Sequence, residues 1–80
     1  MIAETDDEAR TALGKAARVY GGHLGAHLEE HGIWGGPARV AECIERHRKL
    51  GCTMFVIEMF GKDPREPARL FAEQVIPALR

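Results

Sequence analysis

Cysteine is scarce in this 80-residue sequence, which contains only Cys43 and Cys52. Two cysteines do not form the dense disulfide framework that holds small secreted domains together. Long apolar runs are also missing, and the first residues, MIAETDDEAR, are acidic where a signal peptide would be basic and then apolar. From these absences we expect a cytoplasmic protein with reduced thiols.

An excess of charge of one sign is missing as well. Eleven Lys and Arg residues stand against twelve Asp and Glu residues, and the two signs are interspersed, which leaves a formal charge of -1. Neither nucleic acid nor a membrane is therefore expected as a partner. The hydrophobic fraction of 45% is enough for one small core, so residues 1–80 are expected to form a single small domain.

Helical signals dominate the first half of the chain. Thr5 and Glu8 form a capping-box pattern, and apolar residues recur behind them at helical spacing, which predicts a helix from Asp6 to about Tyr20. A weaker helical segment follows from His23 to His31. It is either a separate helix or a continuation of the first after a kink.

Two further helices are predicted in the second half. The stronger begins at Pro37, whose fixed φ suits a first helical turn, and continues to Leu50 before a glycine. The other begins after Asp63, or one turn later at Pro67. Pro77 should kink or loosen its last turn, because proline has no N–H to donate.

The stretch CTMFVIEMF reads as the one clear strand, predicted from Thr53 to Phe60. It is apolar on both faces, rich in β-branched and aromatic residues, and lies between two glycines. A lone strand leaves its main-chain N–H and C=O groups without partners, and a long exposed edge is a liability. We therefore expect this strand to pair with its copy in a second chain, giving a homodimer. A short stub at Ile2–Ala3 could add to it.

Two other groups of residues suggest binding. His23, His27 and His31 would share one helix face, and Cys43 and His47 repeat the same i,i+4 spacing, which zinc or nickel sites use. Since CxxC and HExxH are both missing, a solvent-facing or interface row of histidines is the better interpretation, and no metal site is predicted.

Trp34 lies in a glycine-rich connector and has two interpretations. It is either an anchor for a partner chain or a side chain that folds back over its own helices.

The second half of the chain, GGPARVAECIERHRKLGCTMFVIEMFGKDPREPARLFAEQVIPALR, resembles the end of luciferase-like flavin-dependent monooxygenases. The matching features are a glycine and proline that open a helix, a glycine that ends it, an apolar strand, an Asp-Pro turn and a final helix. They fall here at Gly35 to Pro37, Gly51, Thr53 to Phe60, Asp63 to Pro64, and Phe71 to Arg80. The upstream IAETDDEAR is similar to the family's preceding strand-to-helix junction.

The resemblance implies an α/β fold in which the chain is the end of a (β/α)8 barrel and the segment from Thr53 to Phe60 is one of its strands. It also implies FMN or a deazaflavin coenzyme in the parent enzyme, with none expected in this chain alone. Glu58 and Lys62 would line the mouth of the flavin or substrate pocket, or they are simply a solvated carboxylate and a loop lysine. The resemblance identifies no catalytic residue here.

Two functions follow as expectations. The chain is the C-terminal portion of a flavin-dependent oxidoreductase, inactive by itself, or it is a non-enzymatic oligomerising or binding module derived from a barrel terminus.

Overall fold

Helices make up most of the regular structure in the computed structural model, which describes residues 1–20, 28–57, 59 and 63–80. Four α-helices lie within these ranges: α1 (Asp6–Tyr20), α2 (Leu28–His31), α3 (Pro37–Lys49) and α4 (Arg65–Leu70). Helix α4 continues as a π-helical turn at Phe71–Val75 and ends in a 3-10 turn at Pro77–Leu79.

Helix α1 begins where the capping pattern predicts. The Glu8 N–H donates to Thr5 Oγ1 at 3.2 Å, which satisfies one of the free donors of the first turn. Acidic residues in that turn also favour the positive end of the helix dipole. Ala9, Leu13 and Ala16 are buried along one stripe, so the predicted narrow apolar face is confirmed.

Helix α3 is bounded by two local signals. Gly36 is its N-cap, with extended backbone, and Pro37 is its first residue. At the other end Gly51 takes a φ of 100°, and its N–H donates to the Arg48 carbonyl at 3.0 Å. That left-handed conformation is accessible to glycine and strained for other residues, which explains why the helix stops here.

The last helix shows how proline changes the hydrogen-bond pattern. Of the two predicted starts, the earlier one is right, because Arg65 opens α4 directly after Asp63 and Pro64. Near the C-terminus the Ile76 N–H donates to the Phe71 carbonyl at 3.0 Å, five residues back, and Pro77 then begins a 3-10 turn. The predicted loosening around Pro77 is therefore present.

The chain's first residues hold the helices together. Ala3 donates to the Gly35 carbonyl at 3.2 Å, and Gly35 donates to the Met1 carbonyl at 3.1 Å, so Ile2 and Gly35 form an isolated parallel bridge. Asp6 Oδ1 accepts a 2.7 Å hydrogen bond from the Gly36 N–H. The start of α1 is thereby fixed to the start of α3.

Two small core clusters flank this segment. The first core cluster (Ala9, Leu13 and Trp34) receives Met1 and Ala3, which are partly buried against it. The second core cluster (Val40, Ile44 and Val75) receives Ile2 from the other side. Because alternate residues of one short segment face different clusters, residues 1–3 connect the two cores.

Trp34 belongs to the fold rather than to a partner. Its side chain is only 2% exposed, and its Nε1 donates to the Glu29 carbonyl at 2.8 Å. The guanidinium carbon of Arg39 lies 4.0 Å from the ring centroid and that of Arg10 lies 5.3 Å away. The interpretation in which Trp34 folds back over its own helices is the correct one.

The predicted strand and the α/β barrel-end fold are wrong. Residues 52–57 and Met59 have no regular secondary structure, and no sheet forms within the described ranges; Glu58 and Phe60 lie outside them. The physical reason is that residues with high strand propensity form a strand only where neighbouring strands are present for their side chains to pack against on a half-buried surface. The Ile2–Ala3 stub, the expected short addition, pairs with Gly35 and not with this segment.

Candidate binding surface

An apolar groove of about 170 Å³ opens between the chain's first residues, α3, the loop before α4 and the start of the last helix. The described residues that line it are all apolar: Met1, Ile2, Ile33, Val40, Ile44, Phe55, Val56, Ile57, Met59, Pro67 and Phe71. The described part of the groove is therefore suited to an apolar group, and the side chains of these residues supply neither acid nor base.

Beside the groove runs an exposed segment, defined here as residues 50–57. Leu50 is 87% exposed, Met54 77%, Val56 89% and Ile57 45%. Single exposed apolar residues are normal on a protein surface, but four within eight residues form a patch of the kind that marks an interaction site. The exposed segment and the groove share Val56 and Ile57.

The exposed segment is held to the rest of the fold at Cys52 and Phe55. Cys52 donates its N–H to the His47 carbonyl at 3.0 Å, and Phe55 is partly buried against the second core cluster, with its ring edge to face with that of His47 at a centroid distance of 6.3 Å. The Met54 carbonyl accepts a hydrogen bond from Cys52 Sγ at 3.3 Å, and no main-chain to main-chain hydrogen bond joins residues 53–57 to any other described residue. Most polar main-chain groups of this stretch therefore have no hydrogen-bond partner among the described residues and are available to another chain.

An acidic cleft of about 320 Å³ adjoins the groove. Its lining shares Ile2 and Pro67 with the groove and adds the carboxylates of Glu4, Glu8 and Glu66. Arg69, the one cationic side chain among the described lining residues, is already paired: its guanidinium lies 3.0 Å from Glu66 and 2.8 Å from Glu73. The hydrogen bond to Glu66 is the main cause that raises the pKa of Arg69 above its usual value. The cleft therefore presents net negative charge.

Basic side chains are concentrated in the last turn of α3. The basic turn, defined as Arg46, His47, Arg48 and Lys49, ends α3 and leads directly into the exposed segment. Arg48 is held by Glu45 at 3.0 Å and by the Leu79 carbonyl at 2.8 Å. Basic groups at this end of a helix are favoured by the helix dipole, so their placement also stabilises α3.

The predicted cofactor-binding pair, Glu58 and Lys62, lies outside the described residues, as do His23 and His27 of the histidine row. Cys43 and His47 are described, and they do not present two ligand atoms to one point. His47 Nδ1 lies 2.8 Å from the Cys43 carbonyl, while the buried Cys43 Sγ accepts from Arg46 Nη2 at 3.1 Å. Among the described residues no group of three or more His, Cys, Asp or Glu side chains is arranged to hold a metal ion.

Sequence reasoning missed both the groove and the acidic cleft, because each is assembled from residues far apart in the chain. It did find the exposed segment, as an apolar run without an internal partner. In the ranges that the structure describes, no helix has the length and apolar character needed to cross a bilayer. Comparisons with protein-family models, curated proteins and solved structures found no match to the chain.

Proposed function

We propose that this chain is a small non-enzymatic module that associates with a second copy of itself through the exposed segment. The observation that carries the proposal is the exposure of four apolar side chains in the segment from Leu50 to Ile57, of which Val56 and Ile57 line an apolar groove. Fully burying a side chain of this size contributes about 1.5–3 kcal/mol. Weighted by their exposed fractions, the four apolar side chains of the segment amount to about three fully exposed ones in each copy. Burying them in both copies would contribute roughly 9–18 kcal/mol, against an association cost of about 4–15 kcal/mol.

The chemistry of the groove also supports a binding role. The side chains of the described residues that line it are all apolar, whereas acid–base or nucleophilic catalysis needs ionisable side chains that converge on a reacting atom. Both cysteines are free thiols, which supports the expected location in a reducing cytoplasm.

Sedimentation velocity of the purified protein over a hundredfold range of concentration tests the proposal. The wild-type chain is expected to form dimers as concentration rises, and Val56→Asp is expected to remain monomeric with an unchanged helical circular dichroism spectrum. Val19→Asp is the matched control, because Val19 is also largely exposed (74% against 89% for Val56) but lies on α1 outside the groove. A wild-type chain that stays monomeric throughout would overturn the proposal.

A second candidate is the C-terminal portion of a luciferase-like flavin-dependent monooxygenase. Its support is the position of the helices: α3 begins at Pro37 and stops before Gly51, and α4 follows the Asp63–Pro64 turn, as the resemblance implies. Adding FMN or a deazaflavin coenzyme to the purified protein and following flavin fluorescence tests it. Saturable quenching would favour this candidate by showing that part of the flavin site is retained, although no coenzyme is expected to bind this chain alone. Unchanged fluorescence at high protein concentration would contradict a role of this chain by itself in flavin chemistry.

A further inference from the structure

Each chain carries two surfaces that are complementary to each other, called here the two halves of the contact. One half is the groove with the adjoining acidic cleft, and the other half is the basic turn followed by the exposed segment. We infer that two copies join reciprocally, each placing its basic turn and exposed segment against the groove and acidic cleft of the other. This inference rests on the proposed function and specifies the site at which the second copy binds.

The apolar parts of the two halves match in size. A dry protein cavity of about 150 Å³ holds a group as large as benzene, so a groove of about 170 Å³ accepts one apolar side chain. Leu50 and Met54 are both exposed and do not line the groove of their own chain, and Met54 is the better candidate to enter the partner's groove because its side chain is longer and more flexible. Methionine is also unbranched and adapts to irregular apolar spaces.

The charged parts match in sign. Glu4, Glu8 and Glu66 surround the cleft, and Lys49 directly precedes Leu50 at the start of the exposed segment. Charges at the rim of an interface fix orientation and speed association more than they add affinity. The acidic cleft would therefore select the orientation in which the partner's basic turn approaches it.

Closure into a dimer follows from the overlap of the two halves. Val56 and Ile57 belong both to the exposed segment and to the groove lining, so the exposed segment and the groove are adjacent on the surface. A self-complementary patch on one side produces a closed two-fold dimer, whereas patches on different sides produce open chains. The contact should therefore stop at two copies.

Photo-crosslinking identifies what Met54 touches. Met54 is replaced by the photoreactive residue benzoylphenylalanine. Unlabelled and nitrogen-15-labelled chains are then mixed, so that a crosslink between two copies is distinguished by its mass from a crosslink within one copy. We expect crosslinks to the peptides of the partner chain that carry Ile33, Val40 or Phe71. Crosslinks to residues 50–57 of the partner would overturn the inference while leaving self-association intact. If no crosslink joins two copies, both the inference and the proposed function fail.

Charge reversal tests the acidic cleft. Glu4→Lys with Glu66→Lys is expected to weaken dimerisation about tenfold, and adding Lys49→Glu should restore part of the loss. Glu42→Lys is the control for the single change Glu4→Lys, which alters the net charge equally, because Glu42 is exposed on α3 and lines neither the groove nor the cleft. Equal weakening by Glu42→Lys would contradict the inference, since the effect would then come from net charge alone.

Discussion

Replacing Gly35 by alanine should destabilise the fold strongly, although the change adds a single methyl group. Gly35 has a φ of 135°, which side-chain-bearing residues rarely adopt. An added Cβ would lie 2.5 Å from Arg39 Cδ and 2.9 Å from Asp6 Oδ1, closer than real Cβ atoms approach other heavy atoms. Both neighbours would have to move.

The cost has three parts. An unfavourable backbone conformation costs about 1–2 kcal/mol. Displacing Asp6 weakens its hydrogen bond to the Gly36 N–H, and a bond to a charged group is worth about 1.5–3 kcal/mol. Moving Arg39 off the Trp34 ring costs about 0.5–1 kcal/mol. Since each contact is weakened rather than abolished, we expect a loss of about 3 kcal/mol, against a total stability of roughly 4–12 kcal/mol for a chain of this length.

Urea unfolding followed by circular dichroism measures this change. Gly14→Ala is the matched control: Gly14 lies within α1, and a Cβ there would meet nothing within 4 Å. That variant should be stabilised by about 1 kcal/mol, because alanine is the better helix former. The reasoning would be refuted if Gly35→Ala unfolded within about 0.5 kcal/mol of the wild type, the ordinary range of harmless surface substitutions.

Three further outcomes follow from single side chains. Thr5→Ala should lower the free energy of unfolding by about 1 kcal/mol in urea, since the N-cap bond to the Glu8 N–H is lost. Val75→Ala should lower it by about 2–3 kcal/mol through lost burial and a residual cavity, whereas Val19→Ala, at an exposed site, should change it little. The hydrogen bond from the Arg65 guanidinium, followed by that from the Arg65 N–H, holds the pKa of Asp63 below its usual value. The ionised Asp63 side chain therefore stabilises the fold at pH values above the pKa that it has in the unfolded chain. This stabilisation is lost as the pH falls through the lower pKa of the folded state. Asp63→Asn should therefore flatten the acid limb of a stability-against-pH curve, and an unchanged limb would contradict the assignment.

Helix boundaries were predictable because the signals are local. Thr5 caps a helix that begins at the next residue, and Pro37 and Gly51 bracket α3 through their own backbone preferences. Each signal acts through residues within one turn, so its effect does not depend on the rest of the fold. The apolar residues that recur at helical spacing in α1 form its buried face, as Ala9 and Leu13 show.

The strand prediction was wrong because the sequence signal for a strand depends on residues elsewhere in the fold. Val56 has a strong β preference, yet that preference depends on a neighbouring strand that the described residues do not supply. Val56 is consequently among the most exposed apolar residues instead of being buried on both faces. The groove could not be predicted either, since Ile2, Val40 and Phe71 come together only after the helices have packed.

The division of the core into two clusters has a consequence for spectroscopy. The chain contains one tryptophan, and it lies in the first cluster, against α1. Tryptophan emission therefore reports the docking of α1, while ellipticity at 222 nm averages over all the helices. A difference between the midpoints of the two signals would show α1 detaching before the second cluster melts, as a separate cooperative unit.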